Sequence, residues 1–147
     1  SPQDHLDTYI DILEKEGADL SKCYMAHLGV FPNVDIPKRL LKRGLGFVSY
    51  DQFGHEEFFE GLYTPNFGFS PDKDEIRMVV ELLHAGYADR ILMSSETAFK
   101  ISYKQYGGWG YAHLYENIIP WLKVLGVSES EIYTITVENP SRLHGVK

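Results

Sequence analysis

The chain has 147 residues, a formal net charge of -7 and 44% hydrophobic residues, a composition typical of a folded protein with a core. The length fits one domain, and the negative charge argues against a nucleic-acid-binding surface. We therefore expect no nucleic-acid partner. No apolar run reaches the roughly 18 residues of a membrane-spanning helix, so we expect no membrane partner either.

The single cysteine, Cys23, excludes a disulfide within the chain. Because it lies in an apolar stretch, we expect a buried and inert thiol. This is compatible with a reducing, cytoplasmic location. The chain begins at Ser1 without a methionine, so the question whether an earlier segment carries a targeting signal stays open.

The first predicted unit is a helix followed by a short strand. Apolar residues recur at helical spacing within 4–16, and Gly17 ends this helix. A turn over 19–22 leads into an apolar strand over 22–27, which ends at His27.

The second unit repeats this order after a loop over 28–34. Asp35 is predicted to cap the next helix and Gly44 to stop it. The second strand is predicted over 45–50, directly before Asp51.

The third unit begins with a long aromatic loop over 52–71, and loops of this length in compact domains are often lids or binding loops. A helix is predicted to run from Ser70-Pro71-Asp72 to Gly86, and the third strand covers 90–94, just before Glu96. The aromatic residues of the loop include Phe53, Phe58, Phe59, Tyr63, Phe67 and Phe69.

The rest of the chain is predicted to be a second loop followed by helices. The loop over 97–110 ends in glycines that allow close approach to a ligand, although their spacing is not that of a phosphate loop. Helices are predicted over 111–125 and from Ser128, and 136–143 is predicted to be a turn into a last small helix.

This alternation of helices and strands predicts an α/β fold with parallel strands and right-handed crossovers. Three strands are too few for a closed barrel, which needs eight. The chain is therefore either a small open α/β layer or the last part of a (β/α)₈ barrel, and we see no domain boundary within 1–147.

Each predicted strand ends close to a side chain that can bind a metal or transfer a proton. These side chains are His27, Asp51 and Glu96. In parallel α/β folds the carboxyl ends of the strands carry the ligand site. These residue types suit a divalent metal site or acid–base chemistry. The plainer alternatives are a hydrogen-bonded core histidine, a loop-capping aspartate, and a glutamate that caps a helix or forms a salt bridge.

Further candidates lie near these strand ends. Arg90 either orients a carboxylate or substrate, or pairs with Asp89 or Glu81. Tyr106 and Trp109 either line a pocket or pack within their loop. His113 is expected to cap a helix or to support other site residues, and the remaining loop or surface histidines are expected to be His55, His84 and His144.

Several segments, in this order and spacing, resemble the C-terminal part of phosphotriesterase-like proteins of the amidohydrolase superfamily. The first is Leu13-Glu14-Lys15-Glu16-Gly17-Ala18-Asp19-Leu20, and the others are Ala26-His27-Leu28, Gly86 to Ser94, Gly107 to His113 and Val137 to Arg142.

The resemblance implies a (β/α)₈ barrel with a two-metal centre, of which these would be strands six, seven and eight. It implies that His27 binds one metal, and that Glu96 binds the other and takes the proton of the attacking water. Asp51 matches a seventh-strand family aspartate that lies near the pocket and is not normally a ligand, and it is expected to be a second catalytic residue. Zinc, two ions in the complete site, is the expected metal, with manganese as the alternative.

The chain also departs from the family pattern. Glu96 replaces a usual aspartate, Gln52 and Trp109 replace frequent histidines, and the ligands of the earlier strands have no counterpart in these residues. The resemblance implies hydrolysis of an ester, lactone or phosphoester. The metal centre would be completed by a missing N-terminal half-barrel or by another copy in a homo-oligomer. The alternatives are a non-catalytic homologue serving assembly or binding and, less favoured, a small flavodoxin-like domain.

Overall fold

The computed structural model describes residues 2–31, 33–55 and 70–145. Its described part contains one sheet of three parallel strands in the order β1-β2-β3. The strands are β1 (Tyr24–Met25), β2 (Phe47–Phe53) and β3 (Ile91–Ser95). The predicted parallel α/β fold is therefore confirmed.

Helices connect and flank the strands, and the first three lie close to the predicted positions. They are α1 (Pro2–Lys15), α2 (Asp35–Lys42) and α3 (Asp72–His84). After β3 the described helices are α4 (Ile119–Val124), α5 (Glu129–Tyr133) and α6 (Asn139–His144).

The core forms where the middle of the sheet meets the helices. Val48 of β2 and Ile91 of β3 lie in one buried cluster with helix residues such as Leu40 and Leu82. Because successive residues of a strand point to opposite faces, this cluster occupies only one face of the sheet. Predicted loop aromatics Phe58, Phe59, Tyr63, Phe67 and Phe69 lie outside the described residues.

Strand β2 runs three residues further than the predicted 45–50. Tyr50 pairs with Met93 and Phe53 with Ser95, so β2 contains one extra residue between these two pairs. Such a bulge redirects side chains and is frequent beside functional sites. It places Asp51 inside the strand, whereas the sequence predicted it just beyond the end.

Three local predictions are wrong. Strand β1 has only two residues. Asp35 lies within the first turn of α2, and its own backbone N–H donates to Oδ1 of Asn33, at 3.0 Å. Cys23 is only partly buried, and its Sγ lies 3.5 Å from the carbonyl oxygen of Asp19.

The last small helix predicted within 136–143 is present as α6, but the turn predicted before it is helical too. A π-helical turn at Thr134–Glu138 joins α5 directly to α6, and a second one at Leu114–Ile118 leads into α4. Each π turn precedes a helix with a proline in its first turn, Pro140 or Pro120. Proline has no N–H to donate, and the wider turn accommodates this loss without ending the helix.

Side chains from α6 and from the residue before β3 bind backbone carbonyls at the amino edge of the sheet. Asn139 is fully buried, and its Nδ2 donates to the carbonyl oxygens of Ala88 at 2.8 Å and Ile91 at 2.7 Å. Arg90 donates from Nε to the carbonyl oxygen of Gly46 at 2.6 Å and from Nη2 to that of Leu45. No helix among the described residues has the length and apolar character needed to cross a membrane.

Replacing Asn139 should destabilise the fold strongly. Asn139→Ala leaves the Ala88 and Ile91 carbonyls without this donor, so we expect a loss of about 2–4 kcal/mol in the free energy of unfolding. Denaturant unfolding measures it. The exposed His144→Ala on the same helix is the control, with an expected change within about 0.5 kcal/mol. Equal effects of the two substitutions would contradict this assignment.

Candidate functional site

The carboxyl edge of the sheet brings His27 and Asp51 into direct contact. Oδ1 of Asp51 accepts the backbone N–H of His27 at 2.9 Å and lies 3.1 Å from its ring Nδ1. Asp51 is only 14% exposed, whereas the His27 side chain is 58% exposed. The strand-end positions predicted from the sequence therefore meet at one place for these two residues.

This contact fixes which nitrogen of His27 is available. A carboxylate only accepts hydrogen bonds, so Nδ1 carries a hydrogen, and in the neutral imidazole Nε2 keeps its lone pair. Within the described residues Nε2 has no hydrogen-bond partner. Histidines that bind metals in proteins commonly donate their other N–H to a carboxylate in this way.

The backbone of His27 is in the left-handed region, with a φ of 58°. Among the described residues it is the only one other than glycine with a positive φ. Such conformations cost of order 1–3 kcal/mol and concentrate at functional sites. Here the two hydrogen bonds that His27 donates to Asp51 hold the strained residue in place.

Glu96 follows β3 directly and remains in register with the neighbouring strand. Its backbone N–H donates to the carbonyl oxygen of Phe53 at 3.2 Å. Its Oε2 is buried, and no hydrogen-bond partner is found for it among the described residues. Nε2 of His55 lies 3.6 Å from this oxygen, which is too long for a hydrogen bond.

His55 was predicted to be an ordinary loop or surface histidine, but it is almost fully buried. It follows the bulged end of β2, opposite Glu96, and its ring lies edge-on to Phe99 with centroids 5.8 Å apart. The local signal available was its position just after Gly54, at the end of a buried strand. Its burial depends on β3 and the following loop, which are distant in the sequence.

The predicted substrate-binding residues occupy two different parts of the molecule. Trp109 lies in the loop after β3, is 47% exposed, and stacks on His113 with ring centroids 4.8 Å apart. Tyr106 is in the same loop and packs under the ammonium group of Lys100, 4.5 Å from the ring centroid. Arg90 lies at the amino edge with its guanidinium bonded to carbonyl oxygens, so it does not join the site at the carboxyl edge.

A buried glutamate lies beneath this edge. Glu75 of α3 is fully buried, and neither carboxyl oxygen has a hydrogen-bond partner among the described residues. Burial, followed by the nearby charges of Asp51 and Asp72, raises the pKa of Glu75 to about 8. Gly29 makes the space for it, because a Cβ at that position would overlap the carboxyl group.

The described residues contain no cluster of three or more His, Cys, Asp or Glu side chains able to hold a metal ion. His27 and Glu96 extend from the strands on either side of β2, so they contribute from opposite flanks of Asp51. Neighbouring strands are about 4.8 Å apart, which separates the two flanking strands by about 10 Å.

Sequence comparison gives a consistent set of relatives. A sequence model of the Phosphotriesterase family matches residues 2–144. The N-acetyltaurine hydrolases of Xenopus tropicalis and Mus musculus are each 37% identical to the chain, over 140 and 135 residues. These matches cover 90% of the chain but only 38% of each relative.

Solved structures show the same partial coverage. A resiniferatoxin-binding protein from Rhodobacter sphaeroides has a TM-score of 0.80 and 29% identity, covering 94% of this chain and 38% of that one. A phosphotriesterase homology protein from Escherichia coli, solved with phosphate in its active site, has a TM-score of 0.78 and 26% identity. That match covers 90% of this chain and 42% of the other.

Glu75 should make stability depend on pH. Its raised pKa means that the folded state retains a proton that the unfolded state releases, so its contribution to stability falls as the pH rises from about 4.5 to 8. Glu75→Gln removes this dependence. The stability of the variant relative to the parent protein should therefore increase with pH in that window, by up to about 1.4 kcal/mol per unit.

Chemical denaturation at a series of pH values measures this difference, with the exposed Glu16→Gln as the matched control. Parallel stability curves for Glu75→Gln and the parent protein would show that Glu75 is ionised alike in the folded and unfolded states.

Proposed function

The chain belongs to the phosphotriesterase family, and we propose that it supplies the last three strands and part of the metal centre of a metal-dependent hydrolase. The observation that carries this proposal is the contact of Asp51 with both donors of His27, which leaves Nε2 free of described partners at the carboxyl edge. The chain spans about two fifths of the length of its relatives. The remaining strands and ligands would come from the rest of the barrel, in the same chain or in another copy.

The residues present fit a divalent metal. An imidazole nitrogen held ready by a carboxylate and a buried carboxylate oxygen without a described hydrogen bond are donors that zinc or manganese accepts. His27 and Glu96 would be the ligands supplied by this chain. When bound, the metal would acidify a water molecule and polarise the bond to be cleaved.

The other roles belong to the protein groups themselves. Asp51 orients the His27 ring and keeps its hydrogen on Nδ1, so it acts on the site through the histidine. Glu96 would accept a proton from the attacking water through its carboxylate. Nε2 of His55 lies 3.6 Å from Oε2 of Glu96 and would restrict the positions that this carboxylate can adopt.

The substrate we propose is a small molecule with a hydrolysable acyl or phosphoryl group. The sequence resemblance favours an ester, lactone or phosphoester. The relatives named as N-acetyltaurine hydrolases add an N-acyl amide as the first substrate to test. Trp109 and Tyr106, both partly exposed after β3, would contact an apolar part of the substrate. A cytoplasmic location is part of this proposal.

Removing His27 or its partner should weaken metal binding. His27→Ala deletes a ligand, and Asp51→Asn weakens the bond that orients it, so we expect the second change alone to lower metal affinity about 10–100-fold. Competition with a zinc chelator in the intact protein measures this affinity. The control is Asp89→Asn at the amino edge, and unchanged affinity in His27→Ala would remove that residue from the centre.

Replacing Glu96 should separate turnover from substrate binding. Glu96→Gln keeps the shape of the side chain but removes its basicity, so kcat should fall about 100-fold or more while KM changes little. Steady-state kinetics with N-acetyltaurine, a lactone and a phosphotriester test this, with Glu129→Gln on α5 as the control. Normal kcat in Glu96→Gln would exclude it as the base. No hydrolysis by the parent protein would favour a non-catalytic role.

A further inference from the structure

We propose that Asp72 and His113 form a positioning pair, which fixes Gly54 at the end of β2 so that His55 faces Glu96 and which holds Trp109 against this segment. The kinetic part of this inference rests on the proposed function. Its structural part stands on the contacts alone. Neither residue is among the ligands or bases assigned above.

The pair joins three segments that are far apart in the sequence. Oδ1 of Asp72, the first residue of α3, accepts the backbone N–H of Gly54 at 2.8 Å. Its Oδ2 lies 2.6 Å from Nε2 of His113, which precedes the π turn leading into α4. Both side chains are buried, with 7% and 2% of their area exposed.

The hydrogen-bond partners define the protonation pattern of His113. Asp72 can only accept, so Nε2 of the imidazole carries a hydrogen and donates it. Nδ1 then accepts from the amide Nδ2 of Asn117 at 3.0 Å. Both ring nitrogens are thereby satisfied in the neutral form, and the ring cannot rotate without losing two hydrogen bonds.

The fixed imidazole in turn contacts Gly54 and Trp109. Gly54 has a φ of +97°, and a Cβ at this position would lie 3.3 Å from Cδ2 of His113. On another side, the His113 ring stacks on Trp109 with an interplanar angle of 27°. His55 directly follows Gly54. By holding Gly54, the Asp72–His113 pair therefore also sets the backbone position of His55.

Two substitutions separate these two actions. His113→Phe retains an aromatic ring to stack on Trp109 but leaves Oδ2 of Asp72 without its donor. His113→Gln retains an amide donor at about the position of Nε2 but removes the ring. A role confined to packing would make both variants less stable and leave the balance of kcat and KM unchanged.

The experiment measures hydrogen exchange of the backbone over 52–55 and steady-state kinetics in the intact protein, with N-acetyltaurine, a lactone and a phosphotriester as probes. In His113→Phe we expect faster exchange at Gly54 and a fall in kcat of about 10–100-fold, because small misplacements of catalytic groups have effects of this size. In His113→Gln the donor to Asp72 remains, so we expect the Gly54 amide to stay protected from exchange and kcat to be retained. The ring that stacks on Trp109 is lost, so we expect KM to rise. His84→Phe, an exposed position at the end of α3, is the matched control.

Unchanged exchange at Gly54 in His113→Phe, or the same kinetic change in both His113 variants, would overturn the positioning role. If His113→Phe fails to fold, Asp72→Asn replaces it. An asparagine side chain has a single acceptor oxygen for the two donors, Gly54 N–H and His113 Nε2–H, so it should loosen the same segment. Faster exchange together with an inactive parent protein would support the structural pair and overturn the proposed function instead.

Discussion

The contact between Asp51 and His27 is the interaction on which the organisation of the carboxyl edge depends. Two hydrogen bonds to a charged acceptor, at 2.9 and 3.1 Å, hold a histidine whose φ is 58°. A left-handed residue of this kind costs of order 1–3 kcal/mol. The two hydrogen bonds to Asp51 offset that cost and set the direction of the His27 ring.

The bulge in β2 makes this contact compatible with the rest of the sheet. The extra residue between Tyr50 and Phe53 lets the strand continue past Asp51 and still pair with β3. The carbonyl of Phe53 accepts the N–H of Glu96, and the chain then turns at Gly54, where Asp72 accepts the backbone N–H. One irregular strand end therefore determines where the proposed ligands and their supporting residues lie.

The carboxyl and amino edges of the sheet differ in the groups that hold them. At the amino edge, the Asn139 amide and the Arg90 guanidinium satisfy backbone carbonyls directly. At the carboxyl edge, acidic side chains accept hydrogen bonds from histidines and backbone N–H groups. Their charges contribute to the raised pKa of Glu75, and the same local excess of negative charge favours a cation in the proposed site.

Sequence periodicity was sufficient to predict the order of the main elements, the parallel sheet and the positions of His27 and Glu96 shortly after β1 and β3, since these depend on local patterns. The resemblance drawn from short segments was also confirmed by family membership. Three features depend on residues that lie 41–45 positions apart in the chain. They are the burial of His55, the Asp72–His113 pair and the hydrogen bonds of Arg90 to backbone carbonyls. Composition and spacing contain no information about such contacts.

The most direct test of the account is a crystal structure of the intact protein with zinc, using anomalous scattering to locate the metal. The account predicts a metal about 2.0–2.1 Å from Nε2 of His27, with Nδ1 still bonded to Asp51 and with Glu96 among the ligands of the centre. Its remaining ligands should come from outside the residues that the structure describes, 2–31, 33–55 and 70–145. A metal centre that includes neither His27 nor Glu96, or no bound metal in excess zinc, would contradict the central claim.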